Sequence, residues 1–184
     1  MKKLLVVMAM LLPLATFAQN TEDVKKLTKF EEFSSKTGSI VKFVDVKMPR
    51  ISLSYGSLDA GIRTIKSGNN AYFYRLEKPE TSSSTAKIAM IEYSDLVEIN
   101  KALTKLVSEV DADVASNPDY LENKFRTVDG FEVGYYVSKG EANWYLKLER
   151  YSSSTVFVKN QTLVINAFKN AQAKIEELKA ALPY

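Results

Sequence analysis

The chain reads "YFYRLEKPETSSST" at 72–85 and "WYLKLERYSSST" at 144–155. Each stretch opens with three bulky residues, a base, Leu and Glu, and each closes on Ser-Ser-Ser-Thr. The agreement extends outward. Gly56, Gly61 and Gly68 are answered in order by Gly130, Gly134 and Gly140, and both stretches precede segments of helical periodicity that share Ile99-Asn100 and Ile165-Asn166. The chain therefore reads as two copies of one unit, strands then helix, over about 39–112 and 119–182. One meander with one helix cannot cover its own apolar face, whereas two units can bury theirs together. The expected architecture is an α+β fold. Two tandem antiparallel strand-meander-plus-helix repeats share one sheet. Both long helices pack on one face, and a short N-terminal helix precedes them.

Strands are expected at 39–48, 50–55, 60–68, 71–78 and 84–93, with Pro49 as a break between the first two. Leu96, Ile99, Leu103, Leu106 and Val110 recur at helical spacing, and Asp95 with Glu98 has the spacing of a capping box, predicting a helix over 95–112. In the second half, 121–128 and 131–138 form a hairpin on the Asp129-Gly130 turn, and 143–150 and 155–160 are strands. A closing helix spans 161–181, and Asn160 is its N-cap, which accounts for the sequon-like "NQT" at 160–162. A short amphipathic helix over 21–33 is capped by Asn20 or Thr21, with Gly38 beyond its end.

Alternation assigns the faces. Tyr72, Tyr74 and Leu76 share one side of their strand, as do Trp144, Leu146 and Leu148 of theirs. Those sides face the helices, together with Phe131, Val133, Tyr135 and Val137. Phe73, Arg75, Glu77, Tyr145, Lys147, Glu149, Glu132 and Tyr136 fall on the outer side.

The beginning, "MKKLLVVMAMLLPLATFAQN", has a basic start, a short apolar run broken by Pro13, and small residues before Gln19. It reads as a secretory signal peptide over 1–18, leaving one domain at 19–184 that is exported to the periplasm or secreted. Removing Lys2 and Lys3 leaves 23 basic against 22 acidic side chains. That balance, with bases and acids interleaved, argues against nucleic acid as a partner, and no later stretch suits membrane insertion. Cys and His are both 0. Disulfides, thiol nucleophiles, histidine-based triads, imidazole acid–base catalysis and the usual zinc sites are thereby ruled out.

The stretches "LENKFRTVDGFEVGYYVSKG", "WYLKLER" and "IEYSDLVEINKAL", with the "TFAQ" leader end, resemble a group of small exported proteins of Bacteroidetes-type bacteria that carry no assigned chemistry. The resemblance implies a setting and no site. Tandem strand-and-helix units sharing a sheet are similar to TBP-like or β-lactamase-inhibitor-like arrangements, which says nothing of function.

The outer aromatic and basic residues Phe73, Arg75, Tyr136, Tyr145 and Lys147 form the candidate binding face, since interfaces favour aromatics and Arg, and aromatics also stack on sugars. The competing view is ordinary cross-strand pairing on a solvated sheet. Glu77 and Glu149 would be the acids of a carboxylate-based hydrolase, against which stands their role as partners of Arg75 and Lys147. Asp111, Asp113 and Asp119 depart from a calcium loop and read as a polar linker. The expectation is thus a non-enzymatic domain of the bacterial envelope, with no cofactor or metal, whose partner is a protein or a glycan. The alternatives are a structural envelope component and the hydrolase.

Overall fold

The computed structural model describes residues 27–181 except 36–37, 39, 67–68, 80, 83–84 and 151–154. The proposed leader, 83–84 of the first Ser-Ser-Ser-Thr segment and 152–154 of the second lie outside the described residues.

Each half is a four-stranded antiparallel meander followed by a long helix. The first comprises β1 (Lys42–Ser52), β2 (Ser57–Lys66), β3 (Ala71–Lys78), β4 (Lys87–Glu92) and α2 (Tyr93–Ala115). The second comprises β5 (Leu121–Arg126), β6 (Glu132–Ser138), β7 (Glu141–Lys147), β8 (Thr155–Phe157) and α3 (Gln161–Ala180). A short α1 (Lys29–Ser34) precedes both. The halves do not share one sheet, contrary to expectation. They form two sheets, linked at their edges by an antiparallel bridge between Leu53 and Val158, with the Ser54 amide donating to the Phe157 carbonyl at 2.8 Å. The chain turns into α3 immediately after that bridge, so the pairing cannot propagate.

One apolar core serves both halves. It contains Tyr74, Leu76, Ile91 and Leu103 from the first half and Val133, Tyr135, Leu146 and Phe168 from the second. The expected inward faces of β3, β6 and β7 are all part of it, Trp144 and Leu148 included. The helices cross between halves. α3 packs on β1 and β2 of the first half, while α2 packs on β5, β6 and β7 of the second as well as on β3 and β4. Neither sheet is covered by its own half alone, so each half needs the other to bury its apolar face. Asn100 of α2 ties the helices together, its amide donating to Gln172 at 2.7 Å. At the far end of α2, the Tyr135 hydroxyl donates to Asp113 at 2.6 Å, and Asn123 donates to Glu109 at 2.9 Å.

The duplicated phrase is out of register by two residues. Gly61 in β2 pairs with Lys47 and Arg75, and Gly134 in β6 pairs with Lys124 and Tyr145. Matching the glycines sets Arg75 on Tyr145 and Tyr74 on Trp144, whereas the phrases set Tyr72 on Trp144. A shift of two leaves every side chain on its own face, so the face assignment survives it. The helices slip by one. Ile99, Leu103, Leu106 and Val110 are buried at the spacing of Val164, Phe168, Ala171 and Ile175, which matches Ile99 to Val164 rather than Ile165.

Several boundaries differ from expectation. Pro49 does not end a strand: β1 continues through it, and the register shifts between Met48 and Ile51. β1 is an edge strand of its sheet, so an absent N–H at a bulge costs no ladder bond. α2 begins at the very end of β4, and its N-cap is Glu92, which accepts from the Ser94 amide at 2.8 Å, not Asp95 with Glu98. Asn160 caps α3 as expected, accepting from the Thr162 amide at 2.7 Å. α1 is capped by Thr28, whose capping box with Glu31 lies inside the segment read as continuous helix, and it ends at Ser35. The expected helical residues 21–26 and the proposed caps Asn20 and Thr21 lie outside the described residues.

Candidate functional site

The two outer sheet faces are finished differently. On the first, α1 lies across one end. Phe30 meets Phe73 edge-to-face at 5.3 Å and Phe33 meets it at 6.0 Å, closing a small second core with Ile65 and Ala71. Phe73 is 0% exposed. Its place in a binding face is therefore corrected: alternation put it on the outer side, but a helix covers that side. The start of α1 is held from both halves, since the Lys29 amide donates to Asp129 at 3.0 Å and its ammonium to Asp95 at 2.7 Å. Burial raises the Asp129 carboxyl above the ordinary carboxylate range.

Beyond α1 the first outer face is a charged groove of about 340 Å³ over Gly61. Arg75 lies there, half-buried and paired with Glu77. Asp45 is clamped by Arg63 through bonds of 2.8 and 2.6 Å, which hold its carboxyl below the usual range, and Asp59 pairs with Arg50 at 2.6 Å. Asp45, held ionised by Arg63, is poorly suited to donate a proton, and Asp59 is paired with Arg50.

On the second outer face Tyr145 crosses the glycine. From β7 its hydroxyl reaches over Gly134 of β6 and donates to Glu122 of β5 at 2.6 Å. A side chain at 134 would meet the Lys124 Cα at 2.7 Å, so the strands close tightly and only glycine leaves a floor for the ring. Tyr145 is 5% exposed, and burial with the Glu122 bond raises its hydroxyl well above the ordinary tyrosine range. The same bond, with Lys124 nearby, lowers Glu122. Tyr145 is therefore a strut of the fold, which corrects its expected role as an open contact residue. Glu132, outward as expected, is only 4% exposed, under Lys124 at 3.2 Å, Arg126 at 3.4 Å and Lys147 at 4.0 Å. Lys147 is half-buried in that cluster.

Of the five expected residues, Tyr136 belongs to an accessible aromatic array, whose other members sequence reading missed. Tyr120 stacks on Tyr136 at 6.0 Å, and Tyr136 meets Phe157 edge-to-face at 6.2 Å. Tyr120 is 63% and Phe157 42% exposed. The row crosses the sheet from the approach to β5 to the outer strand β8. Phe157 faces outward between Val156 and Val158, both of which lie in the core. Tyr120 follows "NPD" and precedes the strand, and no periodicity marks it.

Phe157 also walls a cleft of about 520 Å³ where the two sheets meet the start of α3, lined further by Ser54, Asn143, Trp144, Lys159, Gln161 and Thr162. Among the described residues no carboxylate lines this cleft.

The remaining acids do not assemble. Glu77 pairs with Arg75 on the first outer face, whereas Glu149 follows β7 and contacts Lys87 at 3.6 Å and the Ile88 amide at 3.3 Å. Asp111 and Asp113 lie within α2 and Asp119 in the following turn. Among the described residues no group of acids is placed to hold a metal ion, and no helix is long and apolar enough to cross a membrane. No family of known proteins, no curated protein and no solved structure matches the chain.

Proposed function

We propose that this is an exported, non-enzymatic binding domain of the cell envelope that recognises its partner through the outer face of the second sheet. The carrying observation is the Tyr120–Tyr136–Phe157 row. Three aromatics adjoin one another on one face, and two of them are openly accessible. Aromatic side chains are enriched at recognition surfaces because a rigid ring offers contact area at low entropic cost. The first outer face supports the reading by contrast: α1 buries its Phe73, the Arg63 guanidinium lies over Phe43 at 5.4 Å, and Asp45, Asp59 and Glu77 are each paired with an arginine. The leader-like beginning supports export. The hydrolase alternative would need carboxylates free of arginine, which the groove over Gly61 does not offer.

The test is capture from an envelope fraction by immobilised protein, compared with a Tyr120→Ala/Tyr136→Ala/Phe157→Ala variant. Captured material should disappear with the variant while its melting temperature stays within a few degrees of the parent. An unchanged capture pattern would mean that the row is only a solvated surface.

A further inference from the structure

Building on the second outer face as the recognition surface, we propose that its ligand is a neutral oligosaccharide. One sugar seats in the cleft at the start of α3, and the following rings lie along Phe157 and Tyr136.

The lining chemistry carries the argument. A pyranose presents hydroxyls that both donate and accept hydrogen bonds, and apolar C–H faces that rest on aromatic rings. The cleft supplies groups of both kinds side by side. Asn143 and Gln161 offer amides, and Ser54 and Thr162 offer hydroxyls. The side chains of Ser54, Gln161 and Thr162 make no hydrogen bond among the described residues, so their capacity is unspent on the fold. Phe157 belongs to the cleft wall and to the aromatic row at once, so a chain leaving the cleft passes onto aromatics without crossing a gap. The volume of about 520 Å³ falls within the range of small-molecule sites.

Other ligand classes fit less well. A phosphate or polyanion calls for clustered arginines, and among the described residues the cleft holds one charged side chain, Lys159. A basic ligand calls for carboxylates, and none lines the cleft among the described residues. A helical apolar peptide calls for an apolar groove, whereas amides and hydroxyls dominate this lining.

The experiment is a ¹⁵N-HSQC titration of the mature protein, at millimolar ligand, with cellotetraose, chitotetraose and maltotetraose in turn. These are neutral tetrasaccharides that differ in linkage and substituent. At least one should shift the Asn143, Phe157, Gln161 and Thr162 amides saturably. An Asn143→Ala/Gln161→Ala variant that keeps the parent's spectral dispersion should bind it about tenfold more weakly, the loss expected for one or two hydrogen bonds. No saturable shift at these residues with any of the three, or shifts confined to other surfaces, overturns the inference. The envelope capture experiment then reads separately. If the triple aromatic variant still loses capture, the face binds a protein and the saccharide assignment alone is wrong. If capture is also unchanged, the recognition surface itself falls.

Discussion

The Tyr145 hydroxyl donates to Glu122 at 2.6 Å across Gly134, so one side chain ties β7 to β5 over the strand between them. The bond joins a neutral donor to a carboxylate, the stronger kind of hydrogen bond. Tyr145→Phe keeps the ring over the glycine and removes only the bond. It should cost about 1 kcal/mol, at the lower end for bonds to charged groups because Glu122 is partly solvated. The Glu122 carboxyl should titrate higher in the variant, since the leading cause of its depression is gone. Carboxyl-detected NMR titration of both proteins checks this. An unmoved Glu122 would mean that the bond does not form in solution.

The glycine beneath the ring should be far less replaceable than its counterpart. At Gly134 a Cβ would overlap the Lys124 backbone at 2.7 Å, while at Gly61 the tightest contact is the Val46 carbonyl oxygen at 3.0 Å. Gly134→Ala should therefore cost about 3 kcal/mol or more, and Gly61→Ala about 1 kcal/mol, the spread of overpacking penalties. Urea unfolding ranks the two, and equal losses would contradict the close approach of β5 and β6.

Alkaline pH should unfold the protein cooperatively. Tyr74, Tyr135 and Tyr145 are buried and their hydroxyls are raised, Tyr135 to about 12. The unfolded chain releases these protons near pH 10, the native state only at higher pH. Stability from this source is thus complete below about pH 10 and lost as pH rises toward the native values. Each tyrosine contributes a slope of about 1.4 kcal/mol per pH unit in that window. Melting temperatures across the alkaline range should fall steeply, and Tyr135→Phe should flatten the fall. A flat profile would place the hydroxyls in contact with water.

The helix α1 should behave as a lid on Phe73. Phe30→Ala removes the edge-to-face ring and exposes Phe73, costing about 3 kcal/mol, typical of truncating a packed aromatic. Hydrogen exchange of the Ile65 and Phe73 amides should quicken, while the Leu146 amide in the other sheet should not. Uniform acceleration would show that α1 supports the whole molecule.

How far the sequence could be read follows from what each signal depends on. Strand and helix identities, the inward faces and the Asn160 cap were legible because period and local chemistry decide them. The two-residue slip between the repeated strands was not, because a shift of two leaves their hydrophobic pattern unchanged, and the shared Ile-Asn pairs hid the one-residue slip between the helices. The division into two sheets was hidden as well. It turns on a chain reversal after Val158 that breaks off pairing, and no residue type announces it. For the candidate face, alternation correctly set Phe73 and Tyr145 on the outer side. It could not say that α1 covers one, or that a glycine on the strand between β7 and β5 lets the other lie flat. Tyr136 was found by the same rule. Tyr120 was missed because it precedes its strand, and Phe157 because a three-residue strand gives little alternation to read.

The central claim is that the aromatics of the second outer face divide between holding the fold and meeting a partner. Urea unfolding of Tyr145→Ala and Phe157→Ala under identical conditions tests it most directly. Tyr145→Ala should lose about 3–5 kcal/mol, as for other buried aromatics. Phe157→Ala should lose about 1 kcal/mol or less, as for most exposed positions. Equal losses, or a Phe157→Ala loss larger than that of Tyr145→Ala, would contradict the division and with it the assignment of the exposed row to recognition.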